Sequence, residues 1–276
     1  IEPTGYTIDD IYKSIELVGR VSHKSEDRIT EDSAKTFVER MMKMKHLSTC
    51  EFGTVYLAIP TTGFSPKTMN TYLDNPYSKC IIDNVFPNKA YISSNYRVLI
   101  ENNWLDDLKY LCKPTKYHHK RYTVKFILDR AILAEFTRHR KFSFMAESTR
   151  YCNYSKGKFN NELTFIIPWW IDDIEEKSYT SFVEYHPTKY DPAKLWFDVC
   201  MNSENTYIYL LDKDWKPEQA RNILPLSLKT ELYMCGFAED WEKFFELRTA
   251  PNAHSQAREL AIPLKEEFIK NGYLNI

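Results

Sequence analysis

Glycine is scarce, with 7 in 276 residues. None forms the glycine-rich loop that cradles phosphates, so the Rossmann and P-loop readings fall away. Paired cysteines are missing too. Cys50, Cys80, Cys112, Cys152, Cys200 and Cys235 are scattered with no C-x-x-C pair, which argues for free thiols in a reducing compartment rather than a disulfide framework or a structural zinc site. Cys112 with His118 and His119 is the one loose metal-like group, and no second ligand pair has suitable spacing. No apolar run approaches the roughly 18 residues of a membrane span, and "IEPTGYTIDD" lacks the basic and apolar regions of a signal peptide. The first residue is Ile rather than Met, as expected of a trimmed or processed start. The net charge is -1, so no global field draws nucleic acid or an acidic membrane. Any anion site must be local.

The chain does contain 43% hydrophobic, 27% charged and 15% aromatic residues, an ordinary globular balance apart from its richness in aromatics. Ile8, Ile11, Tyr12, Ile15 and Val18 recur at helical spacing. "RITEDSAKTFVERMMKMKH" predicts a second helix, with Thr30 as N-cap and Ala34, Phe37, Val38, Met41 and Met42 on one apolar stripe. "TVYLAIP" reads as a strand ending at Pro60, residues 61 to 90 as loop-rich, and "YTVKFIL" (122 to 128) as a strand. Asp129 is then expected to cap a helix running to about Arg140. Residues 152 to 192 look irregular. Helical periodicity resumes at 193 to 212, from Pro217 to about Cys235, at 240 to 248 and from 253 onward. The expectation is one α+β domain over residues 1 to 276, a curved sheet with flanking helices, strands mostly in the first half.

The richest stretch is "RHRKFSFMAESTRY", residues 138 to 151. Arg138 and Arg140 at a helix end would point roughly 200° apart and could serve two neighbouring anions. The bland alternative is that they only complement the helix dipole. Ser148, Thr149 and Arg150 then add hydroxyls, backbone N–H groups and a forked guanidinium, which suit phosphate oxygens.

Arg138-His139-Arg140, seven residues, then Ser148 resembles the RHRx7S signature of the flavin-dependent thymidylate synthases. Other blocks agree in order: "GRVSHKS" (19 to 25), "HLSTCEF" (46 to 52), "ARNILPLSLKTELY" (220 to 233) and "FFELRTAPNAHSQARELA" (244 to 261). The resemblance implies a methyltransferase flavoprotein of nucleotide biosynthesis. It would convert dUMP to dTMP using FAD, NADPH and methylenetetrahydrofolate, and release tetrahydrofolate. It also implies a homotetramer with active sites between subunits, in the cytoplasm, with no nucleic-acid or membrane partner and no metal. Carried over, Ser22, His46, Ser48, Glu51, Arg138, His139, Arg140 and His254 fall on the flavin side. Glu135, Arg138, Glu147, Ser148, Thr149, Arg150, Arg221 and Arg248 fall on the dUMP side. Arg248 is the catalytic residue implied to favour ionisation at N3 of uracil.

The pattern also departs from the family. Phe52 stands where histidine is usual, Met145 and Ala146 where the commoner signature has Asn-Glu, and Phe237, Glu239 and Lys243 where many members place Asn, Arg and Asn near the flavin. "RTAPNAH" is two residues longer than the commoner form. Cys152 reads as a bystander, and Ser148 as a ligand-binding hydroxyl rather than a nucleophile. Two rivals stay open: a related flavoenzyme hydroxymethylating a pyrimidine nucleotide, and a non-catalytic nucleotide-binding homologue.

Overall fold

The computed structural model describes residues 7–61, 71–83, 89–159, 161–172, 174–175, 177–178 and 191–274. It is an α+β fold. Helix α1 (Ile8–Gly19) starts with a reciprocal capping box between Thr7 and Asp10 and buries Ile11, Ile15 and Val18. Helix α2 (Ser33–Lys43) buries Ala34 and Val38. Its N-cap is Asp32, not the expected Thr30; the backbone N–H of Thr30 instead donates to Ser33 Oγ at 2.9 Å.

The first sheet is three antiparallel strands in the order β1-β3-β2, formed by β1 (Thr54–Pro60), β2 (Lys79–Asp83) and β3 (Lys89–Asn95). The second has the order β4-β6-β5, from β4 (Arg121–Asp129), β5 (Ser143–Ala146) and β6 (Lys229–Phe237). The sequence suggested a single sheet; two small ones are present. Helix α3 (Tyr96–Asn102) follows β3, and α4 (Arg130–Phe136) follows β4, capped by Asp129 through the N–H of Ile132 at 2.7 Å. Helices α5 (Pro192–Asp212), α6 (Pro217–Ala220), α7 (Ala238–Arg248) and α8 (Ser255–Lys270) occupy the second half.

Three expectations are corrected. Helix α4 stops at Phe136, because the Thr137 hydroxyl bonds back to the carbonyls of Leu133 and Ala134 and closes the last turn. Arg138 and Arg140 therefore lie on turns, and the helical divergence expected of them does not apply. The helix predicted from Pro217 to about Cys235 is a single turn followed by β6. Eight of the nine β6 residues are buried, so the strand lacks the alternation that marks a half-exposed one. The loop-rich 61 to 90 region includes β2; residues 62–70 and 84–88 lie outside the described set. The irregular reading of 152 to 192 holds for its described part, where a short 3-10 turn, Gly157–Phe159, and an isolated bridge from Phe165 to Leu228 are the regular features. Residues 160, 173, 176 and 179–190 lie outside the description.

The main core sits on the second sheet, where Phe126, Phe136, Phe142, Trp241, Phe244 and Phe268 pack together. Gly236 is required there: a Cβ would meet the Phe142 ring at 2.6 Å. The sheets are tied by Arg121. Its backbone N–H donates to Tyr56 Oη at 2.9 Å, and its guanidinium donates to the carbonyls of Glu51 and Ser94 and to Thr54 Oγ1.

Candidate functional site

Three elements converge on Arg248. Helix α7 delivers it at its C-terminus, α4 supplies Glu135, and the turn after α4 supplies His139. Arg248 Nη1 donates to Glu135 Oε2 at 2.8 Å, Nη2 to the Glu135 carbonyl at 2.5 Å, and Nε to His139 Nε2 at 2.9 Å. Three of the five guanidinium N–H donors are thus used, leaving two for a ligand. Burial, then the Arg248 charge, pushes His139 down to about 4. It is neutral near pH 7 and accepts through Nε2, which leaves the proton on Nδ1. Its ring meets Phe142 and Phe244 edge-on at 6.2 and 5.0 Å. The hydrogen bond from Arg248 holds the Glu135 carboxyl below its ordinary range. The cluster can fix a guanidinium and present its free edge to a polar ring.

The signature loop meets the early "GRVSHKS" loop. The Ser148 N–H donates to the Ser22 carbonyl at 3.2 Å. Ser148 Oγ accepts from the Arg150 N–H at 3.3 Å, while Thr149 is half-buried. Arg150 is exposed, bound to Glu218 at 3.0 Å, with its guanidinium over the Tyr151 ring. Arg221 lies three residues after Glu218, immediately after α6, and is exposed. Glu147 points inward. It is 2% exposed, accepts from Tyr154 Oη at 2.8 Å and Lys229 Nζ at 3.4 Å, and has Lys24 Nζ at 3.7 Å. That arrangement anchors the loop rather than opening a carboxylate to a ligand. Burial pushes the Cys152 thiol up to about 11, in keeping with a bystander.

The remaining expected residues are more dispersed. Arg138 and Arg140 are exposed and make no hydrogen bond or ion pair among the described residues. Ser22 Oγ donates to the Gly19 carbonyl at 3.0 Å. His46 and Ser48 are exposed, Glu51 pairs with Arg97 at 2.6 Å, and Phe52 is buried with Val18, Val21 and Tyr233. Phe52 therefore fills core where a polar contact was usual. His254 is exposed at the start of α8, 6.5 Å from the Trp170 ring. No direct side-chain contact joins His46, Ser48 or Glu51 to the Arg248 cluster among the described residues.

Sequence reasoning missed Lys24, Tyr154 and Lys229 around Glu147, and Arg121 between the sheets. They are widely separated in the chain, and a single sequence carries no signal of such contacts. Cys112 Sγ lies 3.9 Å from His118 Nε2, which also meets the Leu57 carbonyl at 3.1 Å. His119 is engaged by Glu239. Among the described residues, no group of three or more His, Cys, Asp and Glu side chains is arranged to hold a metal ion, and no helix is long and apolar enough to cross a membrane.

The chain resembles a probable flavin-dependent thymidylate synthase of Paramecium bursaria Chlorella virus 1, at 29% identity over 164 residues, covering 54% of this chain and 66% of that protein. A flavin-dependent thymidylate synthase of Synechocystis is also 29% identical, with the same coverages. The chain thus spans just under two thirds of these relatives' length. A crystal structure of thymidylate synthase X from Helicobacter pylori with FAD and dUMP is 22% identical, with a TM-score of 0.39 over 54% of this chain and 67% of that one. The family described as thymidylate synthase complementing protein matches residues 89–271. That segment holds Glu135 through Arg150, Arg221, Arg248 and His254; Ser22, His46, Ser48 and Glu51 precede it. Residues 89–271 make up more than half of the chain, and on this match it belongs to the thymidylate synthase complementing protein family.

Proposed function

We propose that this chain converts dUMP to dTMP, with FAD as cofactor, NADPH as reductant and methylenetetrahydrofolate as carbon donor. The observation that carries this reading is Arg248, clamped by Glu135 and neutral His139, the latter lying between Arg138 and Arg140 in the sequence. Set against N3 of a uracil ring, the free edge of Arg248 favours the ionised ring and makes C5 nucleophilic. A guanidinium next to a developing anion lowers its pKa by roughly one to three units when water is largely excluded. Arg248 stays charged throughout, so it acts electrostatically rather than as a base. Glu135 and His139 hold its plane, and His139, being neutral, adds no competing cation. A covalent thiolate is not needed, and Cys152 does not offer one.

Arg150, Arg221, Ser148 and Thr149 are assigned to the dUMP phosphate, with Arg150 exchanging Glu218 for phosphate oxygens. Glu147 supports that loop from within. Residues for a flavin also fit. Arg138 and Arg140 are exposed cations that make no hydrogen bond or ion pair among the described residues, and Ser22 lies against the signature loop. His254 stands at a helix start, with His46, Ser48 and Glu51 as further flavin-side positions. When bound, the flavin supplies the hydride that turns the transferred methylene into a methyl. The homotetramer with shared sites is proposed from the family resemblance alone, while the single-domain organisation and a cytoplasmic setting also rest on the helical and strand periodicity and the unpaired cysteines of the sequence.

A second reading, hydroxymethylation of a pyrimidine nucleotide, is favoured by one observation. Phe237 and Glu239, which replace usual flavin contacts, are both occupied by Lys79. Purified protein incubated with dUMP, methylenetetrahydrofolate and NADPH, with and without FAD, separates the two. FAD-dependent dTMP is the expected product, and hydroxymethyl-dUMP supports the second reading. A protein that gains no flavin spectrum on adding FAD overturns both.

A further inference from the structure

Where the second sheet meets the first, a cleft opens to solvent, lined by Lys79, Arg121, Lys141, Ser143, Phe237 and Asp240 among others. Its three cations come from three separate elements: Lys79 from β2, Arg121 from the start of β4, and Lys141 from the residue after Arg140. Arg121 is 3% exposed, and its guanidinium donates to the Glu51 and Ser94 carbonyls and the Thr54 hydroxyl. No carboxylate is within ion-pair reach of it among the described residues. A buried charge satisfied by neutral acceptors still lacks a counter-charge, and that deficit is costly in a low-dielectric setting.

The rest of the lining does not remove the deficit. Lys141 is exposed and makes no ion pair among the described residues. Lys79 is held by Glu239 at 2.8 Å and lies over the Phe237 ring, with Arg121 over the same ring. Asp240 is the acid in the lining. Burial raises its proton affinity against the pull of Lys79 and Lys141, and it is one carboxylate set against the three cations of the lining.

We propose that this cleft is a binding site for a phosphate-bearing anion, gripped by Lys79, Arg121 and Lys141. Lys79 precedes the family-matched residues 89–271, so the first sheet of this chain completes the site. On the proposed flavin chemistry, on which this part rests, the occupant is the diphosphate of the cofactor. Lys141 then continues the basic run of Arg138 and Arg140 toward the phosphates. These cations take over from the Asn and Arg that Phe237 and Glu239 replace.

Calorimetric titration of the full chain with inorganic pyrophosphate at low salt tests the site, and FAD and riboflavin test the occupant. Lys141→Ala and Lys79→Met, checked for folding by near-ultraviolet circular dichroism, should each weaken pyrophosphate roughly tenfold or more, the size of a lost charge-assisted hydrogen bond. They should weaken FAD similarly and leave riboflavin, which has no phosphate, within about twofold. Wild-type protein that does not bind pyrophosphate, or variants that bind it as tightly, overturns the site. Loss of pyrophosphate with FAD unchanged overturns the cofactor as occupant. Pyrophosphate bound through the lysines by a protein that takes up no flavin upholds the anion site and refutes the flavin reading.

Discussion

His139 ties the electrostatics of the proposed active site to the acid stability of the chain. Its proton affinity falls from an ordinary 6.5 to about 4 on folding. Between those values the unfolded chain binds a proton that the folded chain refuses, so stability falls as pH drops through that window. Glu135 works in the same direction: its carboxyl is held low by Arg248, so its contribution is also lost toward acid. The melting temperature should therefore fall between pH 7 and pH 5, and His139→Phe should reduce the fall. An equal fall in both proteins would contradict a buried neutral imidazole. Arg248→Ala should abolish dTMP formation while flavin stays bound, read by absorbance; retained turnover would refute its assignment. At this scale the sequence was informative about identity and poor about geometry. Resemblance to the RHRx7S signature singled out Arg138, His139, Arg140 and Ser148. The meeting of His139 with Arg248, over a hundred residues later, was outside the reach of any periodicity.

Elements show why. The resemblance supplied the order of blocks, and Asp129 was legible as a cap because the N-cap chemistry is local. Strand β6 was misread because burial on both faces erases alternation, and Leu228, Leu232 and Cys235 then match a helical stripe. Its neighbour β5 is four residues long, too short to announce itself. Two substitutions test how β6 and the signature loop are held. Tyr154→Phe removes the hydroxyl donor to buried Glu147 and should cost about 1.5 to 3 kcal/mol in chemical denaturation; no change would mean that Lys24 and Lys229 suffice. Gly236→Ala forces a methyl against Phe142 and should cost about 1 to 3 kcal/mol. A neutral result would show that the Phe142 ring gives way.

For the molecule as a whole, the α+β class was legible from composition and mixed periodicity, while the division into two sheets was not. The strand β1 was recognised by its β-branched and aromatic residues. Its partner β3 starts where the loop-rich reading of residues 61 to 90 ends, and β2, which pairs with β3, lies inside that stretch. The second sheet and its helices lie inside the family-matched residues 89–271 and carry the Arg248 cluster. Helices α1 and α2 and strands β1 and β2 precede that segment; the connection between α1 and α2 contributes Ser22 and Lys24, and β2 contributes Lys79, to its edges.

Protein loaded with FAD, methylenetetrahydrofolate and NADPH, then given dUMP carrying tritium at C5, offers the most direct test of whether Arg248 activates that carbon. Tritium should appear in water in step with dTMP, require FAD, and vanish in Arg248→Ala. Tritium retained on the uracil of protein that holds both flavin and dUMP would contradict it.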